Sequence, residues 1–272
     1  MIFAQTQPTG KTNVVSKSFA TGAVTTLATD AGSPFATNLR LVYIKSGTTI
    51  GYARLDGVAK LLPQLTQPSD PTLSVDSRLI CAIDKLSDRY QLLLLDTLGN
   101  KSVLYETVNQ ISFPSFSSDG LKIVFTENIA PNMSAIGIVT IASKTVHKLT
   151  SPAADFYDGY AAVTNSTVNF VRSHMIDSTL SSEIFSSDFS GKSVTQLTSF
   201  TSNWTTPTFY IRDLRKITNS IDSSSIICTS NYNSTNSDIY LYKIGGVLTR
   251  LMETDQLESY PNFIANYANG KN

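Results

Sequence analysis

One phrase constrains this chain more than any other feature. The stretch "FPSFSSDGLKIVF", Phe113 to Phe125, sets a proline, an aromatic residue, a Ser-Asp-Gly turn and a run of Ile, Val and Phe in a fixed order. The order recurs. "DPTLSVDSRLICAI", Asp70 to Ile83, matches it position for position, with Pro71 on Pro114, Leu73 on Phe116, Asp76 on Asp119 and Ile80 on Ile123. "SPFATNLRLVYI" is a copy two residues shorter, and "YPNFIANYANGKN" keeps Pro261, Phe263 and Asn269-Gly270. "TPTFYIRDLRKITNSIDSSSIICTS" keeps Pro207, Phe209 and Ile226-Ile227-Cys228, with about ten residues inserted between them. A second phrase follows most copies: a strand, a turn, another strand and a Leu-Thr ending, as in Ile136 to Thr150 and Ser182 to Thr198.

The chemistry of the unit predicts its shape. Proline opens a strand where its missing N–H removes no ladder bond. Asp-Gly supplies the positive φ angles of a tight hairpin turn. Short β-branched and aromatic runs separated by Gly, Asp, Asn and Ser read as strands. Each unit is therefore a four-stranded antiparallel meander. Helical periodicity is confined to a brief candidate over Arg212 to Ile217.

Repeats of about 40–50 residues with four strands each indicate β-propeller blades. The prolines at 34, 71, 114, 207 and 261 leave gaps of 37, 43, 93 and 54 residues. The long gap holds two repeats, the second beginning near Asp158 to Val171 with its proline lost. The last copy stops after its turn, and "MIFAQT" at the start of the chain supplies the missing strand. The expectation is an all-β, six-bladed β-propeller of four-stranded antiparallel blades, its ring closed by a blade shared between the N- and C-termini. The whole chain, 1–272, is then one domain with blades at approximately 257–272 plus 1–29, 30–66, 67–107, 108–151, 152–199 and 200–256.

The best copies, Pro114 to Phe125 and Asp238 to Leu251, resemble the TolB-type propeller repeat. The resemblance covers nearly the whole chain, with Phe116, Leu73, Phe209 and Phe263 where that repeat often has Trp. It implies a periplasmic or secreted setting, although "MIFAQTQPTGK" lacks the basic and apolar regions of a signal peptide. Proteins of this type include interaction modules, gating propellers of peptidases and polysaccharide lyases, so fold analogy does not select among them.

The residues themselves point away from catalysis. Lys plus Arg and Asp plus Glu number 21 each, so no net field draws the protein to nucleic acid or an anionic membrane. No apolar run reaches the ~20 residues that span a bilayer. There is no Gly-x-Ser-x-Gly elbow for a hydrolase. His147 and His174 are the only histidines; the first reads as an outer-strand residue, the second as part of a long hairpin loop near Asp177. Neither suggests a metal site, and no cofactor is implied. Cys81 and Cys228, in second strands of different blades, read as buried small hydrophobes rather than a disulfide.

What remains is a rim. Connections entering the inner strands carry Phe113, Tyr157, Trp204 and Tyr260, and "DFYDGY" adds Asp155 beside Tyr157 in what reads as an interblade loop. Aromatic side chains on such rims serve as interface anchors, or they seal neighbouring blades. The reading favoured is a non-catalytic binding or scaffold module taking a protein, peptide or glycan at one mouth of the central channel. The runner-up is a carbohydrate-active enzyme, a polysaccharide lyase or glycosidase, using the central pocket. The sequence leaves the oligomeric state open.

Overall fold

A computed structural model describes residues 1–199 apart from 8, 19, 38, 56–58, 165 and 177–178, together with 215–219, 224–230, 238–251 and 257–262. Every regular element among the described residues is a β-strand. The strands form antiparallel meanders in chain order. β1 (Ile2–Thr6), β2 (Thr12–Lys17) and β3 (Val24–Ala28) are joined by β24 (Leu257–Asn262), which pairs with β1. β4 (Ala31–Ala36), β5 (Arg40–Lys45), β6 (Thr49–Arg54) and β7 (Lys60–Leu61) form the next sheet, followed by β8 (Pro68–Leu73), β9 (Leu79–Lys85), β10 (Tyr90–Asp96) and β11 (Lys101–Thr107). β12 (Ile111–Phe116), β13 (Lys122–Ala130), β14 (Met133–Thr140) and β15 (Thr145–Lys148) touch a further meander through one parallel pairing, Ser134 with Tyr157. That neighbour is β16 (Phe156–Val163), β17 (Thr167–Ile176), β18 (Thr179–Asp188) and β19 (Val194–Gln196); β20 (Arg215–Asn219), β21 (Ser225–Ser230), β22 (Asp238–Lys243) and β23 (Leu248–Arg250) form the remaining sheet.

Three repeated sequence features acquire physical causes. The Ser-x-Asp-Gly turn is a hydrogen-bonded unit. Ser117 Oγ donates to Asp119 Oδ1 at 2.5 Å, Asp119 Oδ1 accepts the Leu121 N–H at 2.9 Å, and Ser117 Oγ accepts the Lys122 N–H at 2.9 Å. Ser74 and Asp76 repeat every one of these bonds, with Ser77 (φ 60°) standing where Gly120 (φ 69°) stands. The Leu-Thr ending ties the fourth strand to the third: Leu149 N–H donates to the Ile136 carbonyl while Thr150 Oγ1 accepts the Ile136 N–H at 3.0 Å. Leu197 and Thr198 do the same for Ile184.

The proline has a different place from the one its sequence position suggests. Pro34, Pro71 and Pro114 are each the fourth residue of a six-residue first strand, not its opening residue. Each lies in a register shift against the second strand, at Gly32/Phe35, Ser69/Thr72 and Ser112/Ser115. A bulge on an edge strand leaves that N–H position outside the ladder, which is why proline is tolerated there.

The core lies between adjacent meanders. Cys81, Ile83, Leu92 and Leu104 of one sheet pack against Ile111, Phe116, Ile123 and Phe125 of the next. Both cysteines are free, fully buried second-strand residues in separate core clusters, as their sequence positions imply. Burial pushes the Cys228 thiol up to about 12 and Cys81 higher still. Two local expectations are corrected. Arg215 to Ile217 belong to strand β20, paired with β21, rather than to a helix. His174 lies within β17, opposite Ser181, rather than in a loop; two long strands carry the hairpin past it.

Candidate functional site

The bulges set the site. The residue before each bulge proline takes a left-handed conformation: Ser33 (φ 48°), Asp70 (φ 46°) and Phe113 (φ 53°). Tyr160 (φ 54°) occupies the same place in β16, where Ala161 replaces the proline and the register shifts between Gly159 and Ala162. Positive φ is uncommon for any residue but Gly, and notable for bulky ones. Here it recurs at one structural position in four consecutive meanders.

All four residues line a single cavity of about 1190 Å³. Its wall is mostly small and polar, with Thr6, Thr12, Gln67, Ser69, Asn128 and Ser173 among its members. Charge is sparse and mixed, supplied by Lys11, Asp30, Asp70 and Lys85. Its aromatic surface comes from Phe113 and Tyr160, whose rings lie 4.4 Å apart between centroids, and from Tyr157 and Tyr90. The bulges also stitch neighbours together. The Phe113 N–H, freed from its own ladder, donates to Asp70 Oδ2 at 3.3 Å, and the Tyr160 N–H donates to Thr126 Oγ1 at 3.2 Å.

Of the rim residues expected from sequence, Phe113 and Tyr157 come together in this wall. Phe113 does so from within a strand, not from an entering loop. Asp155, exposed with φ 66°, stands just before β16 and outside the cavity wall. "DFYDGY" is otherwise strand, not loop: Phe156 to Tyr160 form the first half of β16. Its second acid, Asp158, is fully buried and accepts two bonds from Arg172, at 2.6 and 2.7 Å. Tyr260 sits on β24 at a register shift against β1, the backbone equivalent of Phe113. Trp204 lies outside the described residues, as does Pro207; the first strand pairing with β21 begins eight residues after that proline. The histidines are separated in kind, His147 exposed on β15 and His174 stacked on Phe156 at 4.1 Å.

Of the four bulge residues in the wall, Ser33, Asp70 and Tyr160 were missed by the sequence reading. A signal existed for Asp70: the residue preceding each repeat proline varies freely while the proline does not. Tyr160 had no such marker, because its proline is gone.

No family model and no curated protein sequence matches the chain. Solved structures do match its fold. TolB from Acinetobacter baumannii superimposes with a TM-score of 0.58 at 22% identity over 76% of this chain, which spans 49% of that protein's length. A protein described as TolB from Agrobacterium tumefaciens gives 0.69 at 14% identity, covering 93% of this chain and 89% of its own. Oligogalacturonate lyase from Vibrio parahaemolyticus gives 0.64 at 10% identity, covering 94% and 75%. The chain thus has a β-propeller fold. The likeness to TolB is one of fold.

Proposed function

We propose that this chain is a single six-bladed propeller acting as a non-catalytic binding module. Its blades follow the repeats, one of them assembled from β24 with β1, β2 and β3. Support for the ring comes from contacts among first strands, which run from β24 to β4, β8, β12, β16 and β20 and back to β24. The ligand is a protein segment, peptide or glycan taken at the cavity mouth. Phe113, Tyr157 and Tyr160 supply rigid contact surface, and Asp70 with the hydroxyl and amide groups of the wall supplies acceptors. Tyr260 belongs to the same set by its backbone position, and Asp155 borders it. The resemblance to TolB adds a periplasmic or secreted setting to the proposal.

The observation that carries this reading is the cavity itself. It is a concave space in which aromatic rings of Phe113, Tyr157 and Tyr160 stand beside hydroxyl and amide groups able to fix a ligand's orientation. Peptide display and a glycan array on the intact chain would test the proposal. Enriched ligands should lose roughly fivefold or more in affinity on Tyr157→Ala or Phe113→Ala, as anchor residues do. Ligands that bind both variants like the parent protein, or no enrichment in either format, would overturn it.

A further inference from the structure

Three of the four bulge residues join into one surface. The Asp70 carboxylate holds the Phe113 N–H at 3.3 Å, and the Phe113 ring packs on the Tyr160 ring with their planes tilted by 40°. These residues come from β8, β12 and β16, three successive first strands. All three are half-buried and line the cavity. An acceptor carboxylate therefore stands beside an aromatic platform.

The repeat sets polar groups around that platform. Ser69 and Ser112 hold equivalent places, each two residues before a bulge proline, and Gln67 and Gln110 stand two residues earlier again. Both serines are half-buried and both glutamines exposed. Gln110 Oε1 accepts the Asn128 amide at 3.3 Å. Among the described residues, neither serine hydroxyl nor the Gln67 side-chain amide bonds to another protein group. The aliphatic members of the wall add little to its surface, because Ile44, Ile111 and Val171 are buried.

We infer that this part of the cavity binds a neutral oligosaccharide, one sugar ring lying on Phe113 and Tyr160 with its hydroxyls shared among Asp70, Ser69 and Ser112. This rests on the cavity being the binding site, as proposed above, and narrows its ligand to one class. A sugar ring has an apolar C–H face and a polar rim, and the platform with its bordering groups has the same division. Each sugar hydroxyl both donates and accepts, as do the serine hydroxyls and the glutamine amide. A carboxylate takes sugar O–H donors in strong charge-assisted bonds and repels a uronate at the same place. Peptides fit less well. Strand addition needs an unbroken edge of N–H and C=O groups. Here bulges interrupt the first strands, and the Phe113 and Tyr160 N–H groups are bonded to Asp70 and Thr126. A peptide helix needs an apolar groove, and the aliphatic wall is enclosed. A cationic side chain is held by ring faces turned toward it, whereas these two rings pack on each other and Lys85 stands in the same wall.

A glycan array of neutral hexose and pentose oligosaccharides beside oligogalacturonates, probed with the intact chain, is the test. Each oligosaccharide retained is then titrated calorimetrically. Neutral members should bind and oligogalacturonates should not. Asp70→Asn suits the left-handed backbone at this position and should weaken binding about tenfold by removing the charge. Ser69→Ala with Ser112→Ala should weaken it roughly fivefold or more. Lys101→Ala, on the outer strand β11, should leave it unchanged. Unaltered melting curves would confirm folded variants. The inference is overturned if no neutral oligosaccharide is retained, if oligogalacturonates bind more tightly, or if neither Asp70→Asn nor the serine pair moves the affinity. Displayed peptides that lose affinity on Phe113→Ala, with no neutral glycan bound, would overturn it and leave the cavity as the site. Absence of ligands of both kinds would remove the cavity reading as well.

Discussion

At the residue scale, buried charge is the least legible part of this sequence and among the most consequential. Glu127 is almost fully enclosed and gathers Tyr105 from the preceding repeat, Asn109 from the connection into its own, and Lys148 from its own fourth strand. Nothing in "FTENIA" marks that glutamate, because its partners are 18 to 22 residues away along the chain. Burial acts to raise its pKa, but the Lys148 ammonium and the Asn109 amide outweigh burial and hold the carboxyl below its ordinary range. A depressed folded-state pKa contributes stability above the unfolded value, near 4.3, and loses it as pH falls through the folded value. Lys148→Met leaves the carboxylate buried without its cation. The variant should be less stable by about 2 kcal/mol at neutral pH, less than for a fully buried pair because Lys148 is partly exposed. The gap between variant and parent should close as the acid range is entered and Glu127 is protonated. Urea unfolding at neutral and acidic pH measures this, and a gap independent of pH would exclude the pair as its cause.

At the element scale, strands and turns were legible and the strand interiors were not. The Ser-x-Asp-Gly turn could be read because all its partners lie within six residues. Proline was read as opening a strand, since sequence shows that it cannot donate to a ladder but not that a bulge already exempts its position. A similar long-range dependence fixes two glycines of third strands. Gly137 pairs with Phe125, and Gly51 with Tyr43, in neighbouring strands of their sheets. A Cβ on Gly137 would fall 2.6 Å from Phe125 Cζ, and one on Gly51 would fall 2.4 Å from Tyr43 Cζ. Each ring lies over the space that its glycine leaves open. Gly137→Ala should therefore cost about 2 kcal/mol by overpacking, although Ala is ordinarily the better strand residue. Adding Phe125→Leu should recover part of the loss. A double variant that is no better than the sum of its parts would show the glycine to be needed for some other reason.

At the scale of the whole molecule, the repeats made an all-β chain of successive antiparallel meanders readable, while the cavity walled by the bulged first strands became visible only once those strands were placed side by side. The proposed ring has its most testable feature where β24 meets β1. Their register sets Gln5 opposite Glu258 and Ala4 opposite Ser259. Opposed residues of an antiparallel pair have Cα atoms about 4.5–5.5 Å apart, within the reach of a disulfide. Gln5→Cys with Glu258→Cys should therefore cross-link under mild oxidation and give a faster-migrating chain without reductant. The native thiols will not compete, because Cys81 and Cys228 are enclosed and un-ionised. The bond would close a loop of nearly the full chain, so stabilisation by as much as about 4 kcal/mol is expected if the geometry is unstrained. Moving one partner by a single residue, to Gln5→Cys with Ser259→Cys, turns the two side chains to opposite faces of the sheet and should cross-link far more slowly. Equal rates for both pairs, or none for the first, would show that the ends do not meet in this register, and the ring would need another closure.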